Sequence, residues 1–314
     1  MGILTRLLSR SEKTVAHLPL SSIGQEAPHI RTRNVGGVKA TLIGPDLHPD
    51  VFAHFERAFN TMQQQYPGAH SRLGHIILDN TDTKEKMFHK ENLFSPMESR
   101  SIDDARVRGG AVTLSGVENR PGEIRPNISI VANVQSILKR TKETGMENVE
   151  NDGLAQIYTH EFGHVIQNHI AKLRNEHWDT TYKRMNELID KPFKKRGSPL
   201  LSEEADANPN SARTSWYLGS DYAGSQASEL YPELLRLVHY PNPINKLKGF
   251  LPSEKKGLDS RGMDPRGFAI SSIGKIKNQI QALEKPTISK PRSTTRNGAR
   301  PRSRSAMGGI AYLQ

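Results

Sequence analysis

Residues Asp152–Leu173 read DGLAQIYTHEFGHVIQNHIAKL, and the rest of the chain is read outward from this stretch. Asp152 is placed to cap a helix, and Leu154, Ile157, Tyr158, Val165, Ile166 and Ile170 supply an apolar stripe along it. In the middle of that predicted helix stands His160-Glu161-Phe162-Gly163-His164, an HExxH pattern. A helix turns about 100° per residue, so positions four apart sit one turn above each other on the same side. His160 and His164 can therefore aim ring nitrogens at one metal ion about 2 Å from each. Glu161, beside His160, reaches a water on the open side of such an ion.

Chance places an HExxH somewhere in a chain with twelve histidines roughly a few per cent of the time. The competing reading is a surface helix with two solvated histidines. Against it stand Ile157, Phe162, Val165 and Ile166, because a charged Glu and two His set in an apolar band are costly to bury without a purpose. Gly163 points the same way. Glycine inside a helix costs about 1 kcal/mol relative to alanine, and a small residue there lets another segment pass close to the metal. Two neutral imidazoles suit zinc, and the chain has no cysteine, so nitrogen and oxygen are the ligands left. We expect one Zn2+ per chain. A catalytic zinc takes three protein ligands and a water, so a third ligand must come from downstream. The position three after His164 is Gln167 and the position six after it is Ile170, which disfavours an all-histidine set. His169 and His177 are read as surface residues.

The segment Ser220–Glu229, SDYAGSQASE, holds a tyrosine–alanine pair and a glutamate seven residues after the tyrosine. HEFGH followed by this segment resembles the gluzincin-type zinc peptidases. It is similar in particular to the catalytic domain of anthrax lethal factor and to related toxin, secreted-effector and phage-borne metallopeptidase domains. The resemblance runs from Asp152 to Glu233. It implies that His160, His164 and Glu229 bind zinc, that Glu161 is the general base and that Tyr222 donates to the oxyanion. It implies a zinc metallopeptidase, a hydrolase of the toxin, effector or virulence type, acting on a protein or peptide substrate. Pro232 follows Glu229 closely and lacks an N–H, so the ligand is expected on a turn before a helix that begins at Pro232. Glu233 is a rival ligand, and Glu203, Glu204 and Asp206 form a further acidic cluster.

Outside this core, Gly37–Gly44 alternates as a strand does, and a helix is expected from Pro49. Its stripe is Phe52, Phe55, Phe59, Met62 and Tyr66, and Pro67-Gly68 stops it. His75–Asp79, Ala111–Leu114 and Ile128–Ala132 are short strand candidates; the glycine pair before Ala111 marks an exposed edge strand or flap. More helix is expected at Tyr182–Leu188 and Ser225–Val238, with residues 191–221 rich in loops. A last amphipathic helix fits Ile270, Ile273, Ile276, Ile280 and Leu283, facing the core. The expected class is α+β: a small mixed sheet with an edge strand over a zinc cleft, the HExxH helix, a following helical subdomain and a disordered basic C-terminal tail.

The expected organisation is a weakly ordered segment over 1–30, a metallopeptidase-like domain over 31–240, a loop and amphipathic helix over 241–285, and a basic tail over 286–314. Regular structure is expected to begin near Val35. The 314 residues are only 35% hydrophobic, the formal charge is +11, and the mean hydropathy is −0.63. Such a chain is drawn to anionic surfaces of any kind. The tail holds Lys290, Arg292, Arg296, Arg300, Arg302 and Arg304 and no acid, so it cannot bury a core. It is read either as an arm for nucleic acid or another polyanion, or as a solubilising tail. A second reading of the whole chain is accordingly a virion-associated or structural protein that keeps the fold and is anchored by this arm. A third is a binding module whose HExxH is accidental. No apolar run approaches the roughly 18–20 residues of a membrane span. Arg6 and Arg10 interrupt the leucines of MGILTRLLSRSEK, and Arg6 stands where a myristoylation signal has Ser or Thr, so no classical signal peptide or lipid anchor is expected. The sequence gives no firm address: the cytoplasm is permitted, and so is delivery into a host cell.

Overall fold

The computed structural model describes residues 30–81, 94–108, 110–115, 128–143, 152–208, 211–218, 226–240 and 265–285. The expectations for the N-terminal segment, for Tyr222, for the loop at 241–264 and for the basic tail lie outside the described residues.

The architecture is α+β around a five-stranded mixed sheet. Strands β1 (Ile30–Val35) and β2 (Val38–Ile43) form an antiparallel hairpin. Gly36 and Gly37 turn it with φ of 56° and 87°, the positive values that a tight two-residue hairpin requires. Among the described residues regular structure begins at Ile30, earlier than the expected start near Val35. IRTRNV conceals the strand because it has a single buried residue, Val35. Helix α1 (Pro49–Gln65) and the single turn α2 (Pro67–His70) carry the chain to β3 (Leu73–Asp79), parallel to β2. β3 pairs in parallel with β5 (Ile128–Asn133), and β4 (Ala111–Ser115) runs antiparallel to β5. The order is β1-β2-β3-β5-β4, so among the described residues β4 lies at an edge, one of the two readings its preceding glycines offered.

Alternation along the strands sorts side chains onto two faces. Leu42, Ile76, Leu78, Ile130 and Ala132 join the main core. Ile43, Ile77 and Val131 join a smaller core with Ile102 and Ala105 of α3 (Pro96–Arg108). The sequence reading missed α3, although its start is written out as a capping box: the Ser95 N–H donates to Glu98 Oε2 at 2.8 Å and the Glu98 N–H donates to Ser95 Oγ at 3.2 Å. It also missed α4 (Val134–Glu143), whose apolar positions are few.

The stripe of α1 packs on α5 (Gly153–Arg174), the predicted HExxH helix. Phe55 meets Tyr158 edge-on at 5.2 Å. Asp152 stands at the N-cap but makes no capping bond; its carboxylate pairs with His54 instead. Helix α6 (Trp178–Lys195) is longer than expected and carries Pro192 near its end. The region expected to be loops contains α7 (Leu201–Ala207) and α8 (Ala212–Leu218), anchored by buried Leu201, Ala205, Tyr217 and Leu218. Helix α9 (Leu230–His239) follows, and α10 (Pro265–Glu284) buries Phe268, Ile273, Ile276 and Ile280 in the same main core. His169 is no surface residue: it is buried, with Nε2 2.8 Å from Glu284 at the end of α10. His177 is exposed at the N-cap of α6.

His70 is 3% exposed. Its ring lies 4.8 Å from Phe59 and 6.1 Å from Phe162. Burial pushes its pKa down from 6.5 to about 4. The unfolded chain therefore takes up a proton that the folded chain refuses, and stability is lost as pH falls from above 6.5 toward 4. In urea titrations, the loss between pH 7 and pH 5 should shrink by about 2 kcal/mol in His70→Leu.

Candidate metal centre

Helix α5 presents His160 and His164 one turn apart, with ring centroids 5.3 Å from each other. Across from them a 3-10 turn, Ala227–Glu229, presents Glu229. Glu229 Oε2 lies 3.1 Å from His160 Nε2 and 3.2 Å from His164 Nε2. Ligands about 2.0–2.1 Å from a tetrahedral zinc are separated from each other by roughly 3.3 Å, so this spacing fits the edges of a zinc site. Among the described residues, His160, His164 and Glu229 are the group of His, Asp and Glu side chains able to hold a metal ion.

The outer nitrogens of both rings face acceptors. His160 Nδ1 is 2.9 Å from Glu233 Oε1, and His164 Nδ1 is 2.8 Å from Gln167 Oε1. These contacts keep a proton on each Nδ1, so that each Nε2, on the Glu229 side, is the nitrogen available to an ion. The rival carboxylate Glu233 thus lies on the Nδ1 side of the His160 ring, outside the group formed by His160, His164 and Glu229. It is 4% exposed. Its Oε2 accepts from Arg236 Nε at 2.7 Å. Burial pushes the Glu233 pKa up, but Arg236 and His160 prevail and hold it at about 2. Arg236 also donates to Gln156 Oε1 at 3.2 Å and to the Leu218 carbonyl at 3.3 Å.

Burial pulls the pKa of His160 down, but Glu233, Glu229 and Glu161 overcome it and push it up to about 10. His164 is raised in the same way, by Glu229 and then Glu161. Burial pushes Glu229 up, yet the two imidazoles hold it far below the usual carboxylate range. With both imidazoles neutral the carboxylates would outnumber the one guanidinium, and two protons or a divalent ion would make up the difference.

Three side chains hold the turn that bears Glu229. Gln167 Nε2 donates to the Ser228 carbonyl, Asn186 Nδ2 donates to the Ala227 carbonyl, and Asp206 Oδ1 accepts from the Ala227 N–H, each at 2.8 Å. Asp206 thus supports the site without being a ligand. Glu204 is engaged by Ser211 and Arg213, and Glu203 is exposed. The helix after Glu229 starts at Leu230, two residues before Pro232. Pro232 falls in the first turn, where backbone N–H groups have no helical partner, so its missing donor costs nothing there.

Gly163 proves to be the point of close approach. A Cβ on it would lie 2.6 Å from Pro232 Cα and 2.9 Å from Pro232 Cβ. Glu161 points toward β4, where its Oε2 lies 2.6 Å from Thr113 Oγ1. The sequence reading missed Thr113, Gln167, Asn186 and Arg236. Only Gln167 had a local signal, its three-residue spacing from His164 on the helix. No family model, curated protein or solved structure matches this chain.

The Gly163 contact is with backbone, which no rotamer change relieves. Gly163→Ala gains about 1 kcal/mol of helix propensity and loses more by overpacking. We expect a net destabilisation of about 1–3 kcal/mol in denaturant unfolding and weaker binding of added divalent metal in titrations.

Proposed function

We propose that the chain is a zinc-dependent endopeptidase of the gluzincin type. The observation that carries the proposal is the meeting of three donors, His160 Nε2, His164 Nε2 and Glu229 Oε2, in one largely buried pocket with an acceptor behind each imidazole. A structural histidine pair has no need of a third donor, nor of tautomers set toward it. Glu161 stands on the same helix beside His160, and the edge strand β4 passes over it. An extended peptide adds to such an edge as a further strand, which would bring its carbonyls to the site.

His160, His164 and Glu229 would hold a zinc ion, which would supply a Lewis acid and lower the pKa of a water toward about 7. Glu161 takes a proton from the attacking water and returns it to the leaving amine. The tetrahedral oxygen needs a donor besides, and the resemblance assigns that role to Tyr222. Gln167 and Glu233 keep the ring nitrogens aimed, and Arg236 keeps Glu233 ionised in a buried setting.

Chain purified without added metal should carry about one zinc per molecule and cleave members of a peptide library in a chelator-sensitive manner. Glu161→Gln should keep its zinc and lose at least about a hundredfold in turnover. His160→Ala should lose the metal as well. Unchanged turnover in Glu161→Gln refutes the base, and a chain that takes up no zinc refutes the whole proposal.

A further inference from the structure

The contact between Thr113 and Glu161 joins the sheet edge to the proposed base. The Asn133 N–H donates to the Gly110 carbonyl at 2.8 Å. The β4–β5 register then pairs Ala111 with Ala132, Val112 with Val131, Thr113 with Ile130 and Leu114 with Ser129. Hydrogen-bonded and non-hydrogen-bonded pairs alternate along an antiparallel ladder. Val112 and Leu114 therefore direct their peptide groups at β5. Ala111, Thr113 and Ser115 direct theirs to the opposite side, where no further strand pairs among the described residues. Side chains alternate as well. Val112 and Leu114 pack toward the smaller core, whereas the Thr113 hydroxyl lies 2.6 Å from Glu161 Oε2 and 2.9 Å from the Glu161 carbonyl.

We infer that Thr113 is a positioning residue that holds Glu161 from the strand on which the substrate docks. The inference rests on the peptidase reading and deepens it. The Thr113 N–H and carbonyl face an added strand, while its hydroxyl donates to one oxygen of the carboxylate. A distance of 2.6 Å is at the short end for an O–H···O hydrogen bond. Glu161 is buried, and among the described residues Thr113 is its side chain's hydrogen-bond partner. With Oε2 tethered, Oε1 is the oxygen left to take the proton. Substrate register and aim of the base are thereby set by the same residue.

Thr113→Val keeps the β-branched shape that a strand favours and removes the hydroxyl. Thr113→Ser keeps the hydroxyl. With wild-type zinc content and KM unchanged, kcat of the valine variant should fall roughly ten- to a hundredfold, and the serine variant should recover to within about threefold of wild type. Added to Glu161→Gln, the valine change should cost nothing more. Activity is not the sole readout. In denaturant unfolding of the metal-free chain, a double-mutant cycle of Thr113→Val with Glu161→Ala should show coupling of roughly five- to tenfold in the unfolding constant. Unchanged kcat in the valine variant overturns the inference, as do equal losses in the valine and serine variants or an absence of coupling. A wild-type chain that holds zinc yet cleaves no peptide overturns the peptidase reading instead, and the Thr113–Glu161 tether then stands or falls on the coupling alone.

Discussion

The close passage of α9 across α5 at Gly163 and Pro232 is the constraint on which the site depends. Glu229 immediately precedes α9, so the depth at which that helix seats decides how far its carboxylate reaches toward the two imidazoles. Any side chain at Gly163 would hold the helices apart. The proline brings a flat, donor-free surface to the contact at a point in the helix where no donor is wanted. Two residues that local propensity counts against a helix are thus each placed where their defect is what the packing needs.

Around that contact, charge is balanced over a short range. Three carboxylates, Glu161, Glu229 and Glu233, face two imidazoles and one guanidinium within a largely buried volume. Each has an assigned neighbour: Glu233 between His160 and Arg236, Glu229 between the two imidazoles, Glu161 against Thr113. Buried charge is tolerated where an opposite charge stands beside it, imidazoles for Glu229 and a guanidinium for Glu233. The arrangement also reaches across layers, since Thr113 belongs to the sheet, the imidazoles to α5, Asp206 to α7 and Arg236 to α9.

Much of the frame was legible in the sequence because its signals are periodic and local. The stripes of α1 and α5 repeat at helical steps, and β2, β3, β4 and β5 were found to within a residue or two at each end. The HExxH spacing dictated that two imidazoles share a face. Other elements were hidden for physical reasons. β1 is polar at an edge and buries little, so alternation has nothing to mark it. α7 and α8 are too short for a periodic stripe to accumulate, and proline and glycine around them read as breakers. His169 looked solvated because its cover, α10, lies more than a hundred residues further along the chain.

From the sequence alone came the helix, the pair of histidines on one face, the adjacent glutamate, and a short set of acids able to complete the group. It could not choose among Glu229, Glu233 and the cluster at Glu203, Glu204 and Asp206, because a ligand is defined by direction as well as by type. That choice belongs to the tertiary structure. Packing of α9 on α5 turns Glu229 to the Nε2 side and Glu233 to the Nδ1 side of the same ring, while Asp206 is drawn to the backbone of the turn. Side chains alike in chemistry take different roles because the surrounding helices fix which way each one points.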